Sequence, residues 1–95
     1  MYAVVGTWEM DPDRLEAATA VLHNVIVPGV RQAPGLVKGY WSGGPSGGRA
    51  HTYIVFETED AARDFEANVR ANAAHQREFG VDLIDLAVEQ VTAET

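Results

Sequence analysis

The chain has 95 residues, 46% hydrophobic and 22% charged, which is the length and make-up of one small soluble domain. Seven Lys and Arg against 14 Asp and Glu give a net charge of -7, a field that repels nucleic-acid backbones and anionic membranes as partners. Cysteine is absent, which removes disulfides and thiol chemistry, and neither a signal-like start nor a membrane-length apolar run is seen, so a cytoplasmic protein is expected.

Tyr2 to Met10 (YAVVGTWEM) predicts a strand. Its alternating sets, Val4/Gly6/Trp8/Met10 and Ala3/Val5/Thr7, are both largely apolar, as in a strand covered on two faces. Asp11-Pro12 reads as an N-cap followed by proline at the first helical position. Leu15, Ala18, Leu22, Val25 and Ile26 recur at helical spacing and predict a first helix from about Pro12 to Val27. Pro28-Gly29 ends or kinks it, and Val30 to Ala33 form a bent last turn before Pro34-Gly35. Leu36 to Ser42 (LVKGYWS) is a second strand, Gly43 to Gly48 a flexible hairpin loop, and Arg49 to Glu57 (RAHTYIVFE) a third strand. Thr58 followed by Glu59-Asp60 starts a second helix, with Ala62, Phe65, Val69 and Ala73 on one stripe as far as about Phe79. Gly80 stops it, Val81 to Val91 is a fourth strand, and Thr92 to Thr95 fray.

The order is βαββαβ in one domain, residues 1–95. It predicts an α+β, ferredoxin-like sandwich: a four-stranded antiparallel sheet with two helices on one face. If Trp41 lies near Ala50, then Val37, Gly39, Trp41, Ala50, Thr52, Ile54 and Phe56 face the helices. Leu36, Lys38, Tyr40, Arg49, His51, Tyr53 and Val55 face away. In the fourth strand, Ile84, Leu86 and Val88 form one apolar row. The outer face is too aromatic to stand in water, so Tyr40, His51, Tyr53 and Val55 are expected at a homodimer interface.

The segments IVPGVRQAPGLVKGYW and YIVFETEDAARDF carry a resemblance. With the element order, they are similar to the dimeric α/β-barrel superfamily, in its antibiotic-biosynthesis-monooxygenase-like branch. The matching features are Pro28 late in the first helix, the Pro34-Gly35 turn, and the run from Phe56 to Ala62. The resemblance implies a homodimer with sheets packed face to face and a small-molecule pocket between sheet and helices. Relatives include cofactor-independent oxygenases, lactone isomerases and haem-degrading oxygenases. The haem-degrading branch pairs an Asn on the first strand with a Trp on the second helix and a following His; here only His75 matches, which argues against that chemistry.

His23, His51 and His75 come from three elements without metal-ligand spacing, so neither a metal nor a nucleotide cofactor is expected. Each is a candidate general base, because imidazole as a class exchanges protons near neutral pH. Continuing the second helix's stripe leads to Asn72 and Gln76, two amides that either line the polar end of a pocket or sit on a solvated helix end. Trp8 and Trp41 are either core or an aromatic wall. The expected ligand site is therefore Trp41, Thr52, Asn72 and Gln76, open to a small hydrophobic or aromatic molecule. Two functions stay open: a ligand-binding homodimer of stress-response or regulatory type, and a cofactor-independent monooxygenase or isomerase acting on an aromatic or polyketide-like compound.

Overall fold

A computed structural model describes residues 1–95. Its strands are β1 (Tyr2–Met10), β2 (Leu36–Gly43), β3 (Gly48–Phe56) and β4 (Val81–Gln90). They form one sheet in the order β2-β3-β1-β4, with every neighbouring pair antiparallel. This is the ferredoxin-like arrangement expected from the element order.

The long helix α3 (Glu59–Glu78) starts at Thr58, whose hydroxyl oxygen accepts from the Ala61 backbone N–H at 3.2 Å. Glu59 and Asp60 lie in its first turn, where the helix dipole favours negative charge. It ends at Gly80, which takes a positive φ of 78°. The Asp11 N–H donates to the Gly80 carbonyl at 2.8 Å, and the Arg14 guanidinium donates to the Glu78 carbonyl. Two chain junctions are thereby tied together at one end of the molecule.

The first helical arm is not one regular helix. A 3-10 turn (Pro12–Arg14) leads into α1 (Leu15–Val21), a π-helical turn (Leu22–Ile26) and α2 (Val27–Arg31). Helical backbone thus runs on through Pro28, past the expected end at Val27. Proline cannot donate to the preceding turn, and its ring crowds the carbonyl four residues back. The wide turn lies directly before it and takes up that misfit.

The hairpin register differs from expectation by two residues: Trp41 faces Thr52, and Gly43 faces Ala50. A two-residue shift preserves the pleat, so the central face assignments stand. A bulge between Leu36 and Lys38 does change them locally. Leu36 packs against the core and Val37 is 44% exposed, the reverse of the expected placement. A second irregularity, where β1 meets β4 at Thr7/Trp8, skips Ile84. Ile84 is consequently half exposed and Leu83 joins the core, which corrects the expected Ile84 row.

The core is small and lies toward one end. Val4, Ile54, Phe56, Ala62 and Leu86 form its buried cluster, with Phe65 and Val69 of α3 packed against it. The Phe56 and Phe65 rings meet at 5.0 Å between centroids. Toward the hairpin end, sheet and helices separate.

Candidate functional site

The separation produces an open cleft of about 700 Å³ between the helix-facing side of the sheet and the helices. Its floor follows from the strand register. Gly6 of β1, Thr52 of β3 and Trp41 of β2 lie in one row across the sheet. Trp8, Ala50 and Gly43 form the neighbouring row. Small residues therefore alternate with the two indoles, and each indole folds back over the glycine two positions before it. A Cβ on Gly39 would stand 3.3 Å from the Trp41 ring, and a Cβ on Gly6 would stand 2.9 Å from Trp8 Nε1. Bare backbone beneath the rings is what lets them lie along the floor.

The roof is the first arm, with Leu22 and Ile26 of the π turn and Val30 of α2 facing the cleft. The arm approaches the sheet far less closely than α3 does. Within it, Ala18 alone is buried. One wall is the C-terminal half of α3, whose Val69, Asn72 and Gln76 line the space.

Polar groups are the minority of the lining. Trp8 Nε1–H donates to Thr52 Oγ1 at 3.3 Å. The Asn72 side-chain amide donates to the Asn68 carbonyl at 2.8 Å, leaving its own oxygen free to accept. Gln76 is half-buried and its side-chain amide makes no hydrogen bond within the protein, so both its donor and its acceptor are available. Polar side chains thus line the cleft along α3, at Thr52, at Ser42 and His51 of the hairpin end, and at Thr19 and Gln32 of the arm, among a majority of apolar ones.

All four residues expected at a ligand site (Trp41, Thr52, Asn72 and Gln76) border this one cleft. The histidines fare differently. His75 stands at the cleft's edge, mostly exposed, with Nδ1 3.4 Å from Glu78 and its ring edge-on to Phe79 at 5.2 Å. His51 borders the hairpin end of the cleft while lying in the same alternation as Tyr53. His23 is exposed within the π turn and does not line the cleft, because Leu22 and Ile26 take the inward positions there. Asn68, which was not among the expected ligand contacts, also lines the cleft, as does Trp8, one of the two indoles left open between core and aromatic wall. The signal for Trp8 is the repeated Gly-x-Trp, Gly6-Thr7-Trp8 and Gly39-Tyr40-Trp41, which puts glycine and indole on one face of each strand.

Across the sheet, the other face carries no helix. Tyr40 and Tyr53 sit opposite each other there, 61% and 42% exposed, with Lys38 Nζ 5.8 Å from the Tyr40 ring centroid. Glu9 and Arg49 pair at 2.9 Å on the same face.

Among solved structures, a monooxygenase of Streptomyces coelicolor in complex with the ligand nanaomycin D matches 99% of this chain and 89% of its own, with TM-score 0.71 and 17% identity. An antibiotic-biosynthesis-monooxygenase-type protein of Deinococcus radiodurans matches 100% and 95%, with TM-score 0.73 and 18% identity. The fold is that of the antibiotic-biosynthesis monooxygenases. HapK of Hahella chejuensis shares it as well, over 100% of this chain and 97% of its own, with TM-score 0.70 and 14% identity. No protein-family model and no curated protein matches the chain by sequence. No helix is long and apolar enough to cross a membrane.

Proposed function

We propose that this chain is a homodimeric α/β-barrel protein that binds one flat, mostly apolar small molecule in the cleft of each protomer, in a stress-response or regulatory role. The cleft itself carries the reading. Its volume of about 700 Å³ falls within the ~300–1,000 Å³ of small-ligand sites, and its lining is mostly apolar with a minority of polar side chains. The homodimer is supported by the helix-free face, where Tyr40 and Tyr53 stand exposed, and by the burial of only ten of 95 residues in the isolated chain.

A second reading, cofactor-independent oxygenation or isomerisation of an aromatic or polyketide-like compound, is favoured by the fold shared with a monooxygenase that holds nanaomycin D. Such chemistry needs a base for an acidic C–H or phenol and donors for the resulting anion. His75 at the edge would be the base, with Thr52, Asn72 and Gln76 as donors.

Native mass spectrometry of the protein isolated from its own host tests both parts together. The expected species is a dimer of the 10.3 kDa chain carrying a small organic adduct. A monomer counts against the assembly, and an adduct-free dimer that binds no aromatic compound on titration counts against the ligand. For the second reading, oxygen uptake during turnover of a phenolic compound, without added metal, flavin or nicotinamide, is the expected result.

A further inference from the structure

We infer that Gly6, Trp8 and Thr52 form one unit that turns the Thr52 hydroxyl into a hydrogen-bond donor facing the cleft. Thr52 thereby selects ligands that present an acceptor oxygen, and Trp8 is its positioning residue. The inference rests on the ligand-binding reading of the cleft and adds what that cleft recognises.

A threonine hydroxyl has one proton to donate and two lone pairs that accept, whereas an indole N–H only donates. The Trp8–Thr52 contact at 3.3 Å therefore has a single sense, with Thr52 Oγ1 as acceptor. One lone pair is occupied by the indole, and Thr52 Oγ1 donates its proton to no other protein group. Thr52 lines the cleft, so that proton is left for whatever occupies it. Accepting from the indole also polarises the O–H bond and strengthens it as a donor.

Gly6 makes this geometry accessible. It lies directly opposite Thr52 in the β1–β3 register. A Cβ there would stand 2.6 Å from Thr52 Oγ1 and 2.9 Å from Trp8 Nε1, inside the space the hydrogen bond occupies. The indole thus reaches back across a residue without a side chain to meet a hydroxyl on the next strand. Trp41 flanks Thr52 on the opposite side, so an aromatic ligand resting against it brings a ring substituent to Thr52.

A matched pair of ligands tests the inference: 1-acetylnaphthalene, which carries an acceptor oxygen, and 1-isopropenylnaphthalene, which has the same shape without one. Calorimetric titration of the wild-type protein should favour the acetyl compound by about tenfold, the value of one hydrogen bond. Thr52→Val should bring the ratio close to one while leaving affinity for the isopropenyl compound. Thr52→Ser should restore the preference, and Trp8→Phe, which keeps a ring but loses the N–H, should reduce it severalfold. A general loss of packing would lower both affinities together and leave the ratio. A preference that survives Thr52→Val overturns the inference while the cleft reading stands. Binding of neither compound to the wild-type protein overturns the cleft reading for aromatic ligands and this inference with it. Without any ligand, solvent exchange of the Trp8 indole proton, followed by NMR, should quicken in Thr52→Val; an unchanged rate also overturns the unit.

Discussion

At Gly6 a methyl group would stand 2.6 Å from Thr52 Oγ1 and 2.9 Å from Trp8 Nε1, closer than any Cβ is accommodated without movement. Gly6→Ala is expected to displace the indole and cost about 1–3 kcal/mol, the range for overpacking a close-packed site. Gly29 makes the opposite case. It lies in α2, and a Cβ there meets nothing within 4 Å. Gly29→Ala should stabilise the protein by about 0.5–1 kcal/mol through reduced freedom of the unfolded chain and better helix propensity. Urea unfolding midpoints of the two variants should move in opposite directions, and movement in the same direction contradicts this account. Residue-scale features of this kind were only partly legible in the sequence. Alternation puts Trp41 and Thr52 on the helix-facing side, and helical spacing carries Asn72 and Gln76 toward them. What alternation does not contain is the backward lean of an indole over its own strand, which depends on the volume left by the neighbouring rows.

Elements were legible where one period dominates. β1 occupies Tyr2–Met10 as expected, because apolar residues fill both of its alternating sets. α3 follows its Ala62, Phe65 and Val69 stripe, and its start at Thr58 is a side-chain cap that can be read directly. Thr58→Ala should cost about 1 kcal/mol in thermal or urea unfolding, because the Ala61 N–H loses its partner. The bulge beside Val37 and the π turn at Leu22–Ile26 were not legible. Each inserts a residue out of period, and the local sequence pattern is equally compatible with an uninterrupted strand or helix. Asn72→Leu combined with Gln76→Leu tests what the C-terminal half of α3 contributes. The amide of Asn72 is satisfied only by its own helix, so the fold should survive. Affinity for an acetylnaphthalene that carries a second polar substituent should still fall severalfold, because the amides of the cleft wall are lost. Undiminished binding would remove these two residues from the site.

As a whole molecule, the chain puts one face of its sheet to work under the helices and leaves the other bare. A carboxylate placed at Tyr53 would be trapped in that second face if another copy covers it. Tyr53→Asp should therefore weaken the homodimer by roughly tenfold or more, because a desolvated charge without a partner is costly. Sedimentation velocity over a micromolar concentration series measures this directly. A wild-type monomer throughout that range, or a variant with unchanged association, places the interface elsewhere. The uneven distribution of the core agrees with such an assembly. Packing is concentrated around Val4, Ile54 and Phe56, so the hairpin end has little of its own to hold it shut.

The chain contains two tryptophans, and both of them border the cleft. Its tryptophan emission, excited at wavelengths where the three tyrosines do not absorb, consequently originates at the cleft. Trp8 is nearly enclosed and hydrogen-bonded, whereas Trp41 is half-open, so the two chromophores differ in colour and in access to quenchers. Replacing either one with phenylalanine leaves a single indole on a known side of Thr52. The protein thus carries its own optical gauge of occupancy, and a library of compounds can be screened on it without a dye, a label or a known reaction.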